Sequence, residues 1–324
     1  YLWSKGIKES LAPIPNLSNY EKLENSEGIK NFHELGIAQI PYEKKFAGGE
    51  QVGRLQLEKF LNESGQTYAK DISSPLKAPA SCSRLSSYIT YGNLSIKYIV
   101  KKTQQKQMEL REKKTRDGWL GSLSAFSSRL RWHCHFIQKL EMQPSLENTN
   151  MVQSFDKIRT KPNKDFLNRW GNGEVGFPMI DACMRFLKKN GWINFRMRAM
   201  LVSFASYNLW LDWRLTSKFL SKYFIDYEPG IHYNQFQMQS GVTGINAIRI
   251  YNPVKQQADH DVKGLFVKRW IPELKNVPND YLPYPHLMSE SLQKQTGCII
   301  GKSYPKPIVD LKLSSLSARK KIFS

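Results

Sequence analysis

The sequence predicts a mainly α protein, built as one irregular multi-helix domain. Three observations predict it. Apolar residues recur three and four apart over long stretches, period-2 alternation is almost absent, and Gly, Pro and Asn interrupt the pattern at helix-length intervals. The chain has 324 residues, of which 40% are hydrophobic, enough for a sizeable core. No repeat of fixed length organises it.

In chain order, residues 1–46 read as a linker or N-terminal extension with one or two short helices, broken by Pro13, Pro15, Asn16, Asn19 and Gly28. Residues 47–288 read as the helical domain. Val52, Leu57, Phe60 and Leu61 predict a helix over Gly48–Ser64 that stops at Gly65. Tyr68–Pro79 reads as an extended loop. Ser81, Ser83 and Ser86 surround Arg84 ahead of an apolar helical run, which Gly92-Asn93 ends, and Ser95 can cap the next helix. Lys101–Arg116 reads as a solvated helix face or exposed loop. Leu123, Phe126, Leu130, Cys134, Ile137 and Leu140 predict a long amphipathic helix over Trp119–Met142. A polar connection follows over Gln143–Lys164. Pro178 opens a further helix and Asn190-Gly191 ends it. Phe195–Trp213 reads as one buried helix and Phe219–Phe224 as a short one. A long loop then contains Pro229-Gly230 and Gly241–Gly244. Apolar residues return over Val267–Leu274, and Pro278–Pro285 is Pro-rich. Residues 289–324 read as a basic tail ending in Arg319, Lys320 and Lys321.

Charge narrows the partners. Lys and Arg number 48 against 28 Asp and Glu, a formal net charge of +20. Such an excess points to a polyanion, nucleic acid before anionic membrane, with plain solubility as the alternative. The four cysteines (Cys82, Cys134, Cys183, Cys298) form no C-x-x-C pair and read as reduced thiols of a cytoplasmic protein. No secretory signal opens the chain, and the apolar run Ala199–Trp210 is too short to span a bilayer. His133 and His135, two apart on a helix, face different ways, so no metal site is predicted. Arg196 and Arg198 stand among apolar residues. Buried arginines need paired anions, which points to a bound anionic ligand. The Ser81–Ser86 hydroxyls with Arg84 suit a phosphate, although local pattern alone favours an ordinary N-cap.

The order of motifs then carries a resemblance. GGE (48–50) and FL (60–61) come first, then SRLS (83–86) and GNLS (92–95). Trp170 leads into IDACMRFL (180–187), followed by GWINFRMR (191–198), LDWR (211–214), FIDYE (224–228), IRIYNP (248–253) and RWIPEL (269–274). Over about residues 47–285 the chain resembles the flavin-binding helical domain of the photolyase/cryptochrome family. The α/β antenna domain that normally precedes it is not in this chain, and the resemblance leaves any antenna chromophore open. It implies a non-covalent FAD folded into a U. Tyr68 and the loop Cys82, Ser83, Arg84, Leu85, Ser86 match the element holding its phosphates, with Cys82 where Thr is usual. Arg198 and Asp226 match the ion pair beside the isoalloxazine. Tyr227 and Glu228 belong to the same turn, Glu228 standing where a second Asp is common. His232 stands where an Asn faces flavin N5; it can donate a proton there, its pKa lying near neutrality, or simply pack.

The resemblance also implies an activity: light-driven, FAD-dependent repair of pyrimidine dimers in UV-damaged DNA, on a base flipped from the duplex. Trp132 can stack on a flipped base, and Gln138, Asn194, Phe195 and Gln256 match DNA or lesion contacts. Several positions depart from the pattern. Cys134 replaces a lesion-contacting Glu, and Asn194-Phe195 replaces His-Asn. Phe236 replaces the flavin-proximal Trp of the photoreduction chain and Met238 the next aromatic there, while Trp213 and Trp170 match its outer members. Trp210, Trp192, Trp132, Tyr207 and Tyr233 are candidates for a bypass, and each also suits core packing. The departures surround one pocket and resemble a divergent bacterial photolyase-like branch. The expected protein is a monomeric photolyase acting on cyclobutane dimers before (6-4) lesions. The alternatives are a cryptochrome-like blue-light receptor and a DNA-binding flavoprotein without photochemistry.

Overall fold

A computed structural model describes residues 34–36, 46–114, 116–245 and 248–323. Most of the expected N-terminal linker lies outside the described residues. Helices dominate: among the described residues there is no strand, only an isolated bridge between Ile300 and Tyr304.

The first third runs α1 (Glu50–Asn62), α2 (Tyr68–Asp71), α3 (Ala78–Ser81), α4 (Ser86–Thr90) and α5 (Ile96–Glu112). The expected loop at 68–79 is thus partly helical. Ser95 caps α5 by accepting from the Lys97 amide at 3.2 Å. The long helix α6 spans Trp119–Met142 as its spacing predicts. Gly118 at φ 91 turns the chain into it, and Asp117 Oδ1 accepts from the Trp119 amide at 3.2 Å. Leu123, Phe126 and Leu130 form its buried stripe.

The centre continues with α7 (Lys164–Asn172), α8 (Pro178–Asn190) and α9 (Phe195–Ser203). The single helix expected over 195–213 is broken. A π-helical turn over Phe204–Asn208 follows α9, and Trp210 takes φ 53. Arg159 donates from Nε to Ser206 O at 3.1 Å and from Nη2 to Ser240 O at 2.9 Å. Asp212 then caps α10 (Trp213–Ser221) through the Arg214 amide at 2.7 Å.

The long loop expected after Phe224 contains a helix. α11 spans Pro229–Ser240, with Glu228 as N-cap and Pro229 at its first position. Gly230 lets α11 lie against α6: a Cβ there would sit 2.6 Å from Ile137 Cα. The chain continues through α12 (Pro253–His260) and α13 (Leu265–Trp270). The expected tail at 289–324 folds onto the domain instead. It forms α14 (Glu290–Thr296) and α15 (Leu311–Phe323), and it buries Cys298 and Tyr304 in the core. The Tyr304 hydroxyl donates to the buried Asp181 at 2.5 Å, which ties this segment to α8. Among the described residues, no helix is long and apolar enough to cross a membrane.

Candidate functional site

A cavity of about 630 Å³ opens between the 82–86 loop, α6, the start of α9 and α11. Its floor is the Arg198–Asp226 pair. Arg198 Nη2 lies 2.9 Å from Asp226 Oδ2, and its Nε donates to Ile193 O at 2.7 Å. The guanidinium sits 4.2 Å over the Phe224 ring. The Asp226 side chain is 5% exposed, yet its Oδ1 has no hydrogen-bond partner among the described residues. Asn194 is 2% exposed and donates to Ile72 O at 2.9 Å, while its Oδ1 is likewise unpartnered. The cavity therefore has two buried acceptor oxygens lacking donors beside a fixed cation. Buried acceptors are costly when unpaired, so this floor calls for a ligand carrying N–H or O–H groups.

The 82–86 loop makes one wall. Arg84 takes φ 56, which swings its guanidinium to 3.9 Å over the Trp192 ring. Burial pushes Arg84 down to about 10 against the opposing charge of Asp226, so it stays cationic at neutral pH. Burial pushes the Cys82 thiol up to about 12, so this residue is an inert neutral group. Ser83 and Ser86 also line the wall, and Tyr68 closes it. Burial holds the Tyr68 phenol protonated, well above its ordinary range.

On α11, His232 Nε2 lies 3.0 Å from Ser217 O. A carbonyl only accepts, so Nε2 carries the proton and Nδ1 is left as an acceptor. Burial pushes His232 down to about 4, with the Ser217 bond opposing. His232 is thus neutral at neutral pH, and its Nε2–H is engaged by Ser217 O. Its ring packs on Phe236 at 4.5 Å and Tyr227 at 4.9 Å, centroid to centroid.

The mouth is aromatic and basic. Trp132 is 48% exposed and Phe195 is 40% exposed, and both line the cavity. The Arg129 guanidinium lies 5.6 Å from the Phe195 ring centroid. His133 lines the same wall; both its ring nitrogens are buried without a partner among the described residues, and burial lowers its pKa.

The structure thus brings together Tyr68, Cys82, Ser83, Arg84, Leu85, Ser86, Trp132, Asn194, Phe195, Arg198, Asp226 and His232. Other expected residues are off the cavity wall. Glu228 caps α11 through the Gly230 amide at 3.4 Å. Tyr227 bonds Tyr233, and Cys134 and Gln138 project elsewhere from α6. Gln256 is buried in α12 with its Oε1 unpartnered. Arg196, expected to meet a buried anion, donates to Ser73 Oγ at 2.9 Å. Trp213 is buried in ring contact with Tyr233, and Trp170 is fully buried against Phe219. Sequence reading missed Arg129, His133, Gln235, Gln239 and Arg249 as lining residues. The signal was helical spacing: 129, 132, 133, 136 on α6 and 232, 235, 236, 239 on α11 each follow i, i+3, i+4, i+7. A wider groove of about 1240 Å³ under α15 contains none of the expected residues.

Residues 126–323 match the model of the FAD-binding domain of DNA photolyase. The chain is 30% identical over 278 residues to the deoxyribodipyrimidine photo-lyase of Alkalihalophilus pseudofirmus, covering 85% of this chain and 55% of that relative. It is 29% identical over 324 residues to cryptochrome DASH of Synechocystis, covering 96% of this chain and 62% of the relative. The chain thus spans less than two thirds of either. Among solved structures, a bacterial class III photolyase from Agrobacterium tumefaciens superposes with a TM-score of 0.76 at 27% identity, over 84% of this chain and 55% of that one.

Proposed function

We propose, for a chain that belongs to the photolyase/cryptochrome family, that it is a light-driven DNA photolyase acting on cyclobutane pyrimidine dimers. FAD is the cofactor of the matched domain, and the cavity's own residues fit it. The unpartnered oxygens of Asn194 and Asp226 suit the amide and amino donors of its rings, and Ser83, Arg84 and Ser86 suit its phosphates. When bound and reduced, FAD supplies the light-driven electron transfer that splits the dimer.

The protein's part is to hold, orient and keep dry. Arg198 is fixed by Asp226, by Ile193 O and by the Phe224 face, so its charge is oriented before anything binds. His232, neutral with its proton engaged by Ser217 O, offers Nδ1 as an acceptor and adds no charge to the cavity. At the mouth, Trp132 and Phe195 present two aromatic rings on which a flipped pyrimidine dimer can stack, and Arg129 beside them suits a flanking phosphate. This juxtaposition of exposed rings with a buried Arg–Asp floor is the observation that carries the reading. The net charge of +20 supports a DNA partner, and cyclobutane dimers are favoured because Asn194-Phe195 supplies no His pair for a (6-4) lesion. The reading is of an intracellular, DNA-associated monomer.

A second reading, a cryptochrome-like receptor without repair, is favoured by one observation. Cys134 replaces the expected lesion-contacting carboxylate and does not line the cavity. The test mixes chemically reduced, FAD-loaded protein with an oligonucleotide carrying one thymine cyclobutane dimer, under blue light and in the dark. Light-dependent recovery of intact thymines is the expected result. No recovery, with a flavin spectrum that still responds to light, would sink the repair reading in favour of the receptor.

A further inference from the structure

We propose that Tyr233 is the electron donor that photoreduces the bound flavin, passing its proton to Glu147. The proposal rests on the reading of the cavity as a light-reactive flavin site. Phe236 occupies the place on the cavity wall where the family resemblance puts the first tryptophan of the relay, and a phenylalanine ring is hard to oxidise. An electron must therefore enter by another aromatic side chain or not at all.

Of the aromatic candidates, Tyr233 alone combines a ring path to the cavity with a base for its proton. Its ring centroid lies 5.6 Å from that of His232, which lines the cavity, and 6.3 Å from that of Trp213. Tyr227, in contact with His232 at 4.9 Å, donates its hydroxyl to Tyr233 Oη at 3.0 Å. Tyr233 in turn donates to Glu147 Oε1 at 3.3 Å, and Glu147 is an exposed residue. The hydroxyls thus form a directed chain, Tyr227 to Tyr233 to carboxylate to solvent. Burial first, then the Tyr227 hydrogen bond and the Glu147 charge, keep Tyr233 a neutral phenol. Such a phenol is oxidised readily only when a base takes its proton.

The other candidates lack one or both features. Trp210 lies between two cations, with Arg159 at 4.5 Å and Lys321 at 4.7 Å from its ring. Trp192 carries Arg84 at 3.9 Å. A positive radical on either ring would form against a neighbouring positive charge. Among the described residues the buried Tyr207 hydroxyl has no hydrogen-bond partner to take its proton. Trp132 stands at the mouth, where the lesion would stack.

The step balances. Tyr233 loses one electron inward, through the His232 and Tyr227 rings, to oxidised flavin under blue light. Its O–H bond breaks as the proton forms an O–H bond on Glu147. A soluble thiol then gives one electron to the neutral tyrosyl radical, releasing its proton to water and becoming a thiyl radical that pairs with a second into a disulfide, while Glu147 returns the proton to Tyr233. Tyr233 is half-buried, within reach of that thiol. Two turns deliver the two electrons of full reduction, and the proton that the reduced flavin takes up comes from water.

The test uses the FAD-loaded full chain with dithiothreitol under blue light, following the flavin absorbance. Tyr233→Phe, checked to carry one flavin per chain, is expected to reduce at least tenfold more slowly, whereas Trp210→Phe matches the parent. In freeze-trapped samples illuminated without thiol, the parent gives a neutral tyrosyl signal by electron paramagnetic resonance, and Tyr233→Phe lacks it. Glu147→Gln changes an exposed residue and so carries the test should Tyr233→Phe lose flavin. Its reduction is expected to be slow at neutral pH and to rise with buffer-base concentration, to which the parent is insensitive. Parent-like reduction in both variants, or a tryptophan-type radical that persists in Tyr233→Phe, overturns the proposal. Repair by chemically reduced parent protein is scored separately; its failure would count against the photolyase reading and leave the radical assignment standing.

Discussion

Replacing Arg198 by Ala removes the cation from the cavity floor and leaves Asp226 buried. The Asp226 side chain is 5% exposed and that of Arg198 24%. Removing one partner of a buried pair costs about 3–5 kcal/mol, because the remaining charge has lost its compensation. Water reaches part of Arg198, so the low end applies, about 3 kcal/mol. The same side chain also donates to Ile193 O at 2.7 Å, which joins α9 to the segment before it. Flavin entering the cavity would strip the remaining water from Asp226, so most of the loss belongs to the bound state. At about 1.4 kcal/mol per tenfold, flavin affinity should fall by about 100-fold. The assay is flavin per chain after gel filtration, with the dissociation constant from equilibrium dialysis. Arg198→Lys keeps the charge but not the fork, and an intermediate loss is expected. Full flavin stoichiometry in Arg198→Ala, with affinity within threefold of the parent, would refute the reasoning that this pair is the cofactor floor.

Two further outcomes follow from buried groups. His232 is held at about 4 against an ordinary 6.5, so the unfolded chain binds its proton first. Its contribution to stability is intact above pH 6.5 and is lost as pH falls to 4, about 3 kcal/mol in all. Urea midpoints should show that slope in the parent and a shallower one in His232→Asn; equal slopes would rule out burial of His232 as its source. Gly230→Ala would set a methyl 2.6 Å from Ile137 Cα and force α11 off α6. Overpacking costs about 1–3 kcal/mol, and alanine's better helix propensity returns about 1 kcal/mol, so a lower melting temperature is expected. An unchanged one would mean the two helices have room to spare.

What could be read in advance followed physical contrast along the chain. Helix α6 was legible end to end because Leu123, Phe126 and Leu130 stand against a polar face, although Cys134, Ile137 and Leu140, expected on the same stripe, are only half-buried. The break after Ser203 was not, since Phe204, Ala205, Tyr207 and Leu209 are all buried and leave no period to lose. Helix α11 has the same difficulty. His232, Asn234, Phe236 and Gln237 face inward on several sides, and Pro229-Gly230 looks like a turn although Pro suits a first helical position. The last stretch was misread from Arg319 to Lys321, whose charge hides the buried Cys298 and Tyr304. At the site, the 82–86 loop and the Arg198–Asp226 pair were legible through motif resemblance. Direction was not: Cys134 follows the wall residue His133 by one position, about 100° around the helix, and so leaves the wall.

The same geometry divides the cavity into two kinds of position. Asn194 and Phe195 are neighbours at the start of α9, yet one is 2% exposed and the other 40%. Asn194 lines the cavity with the Arg198–Asp226 pair and keeps its unpartnered oxygen buried, a dry setting in which a mismatch leaves a polar group unpaired. Phe195 points outward next to Arg129, where any flat apolar ring can stack on a base and the surrounding water forgives a change of shape. The inward position therefore constrains chemistry and the outward one constrains only area. A substitution at Phe195 that keeps an aromatic ring should alter the grip on DNA without touching flavin content, whereas one at Asn194 should alter flavin content first. Measured together on the same preparation, those two effects test the proposed division of the cavity into a cofactor half and a substrate half.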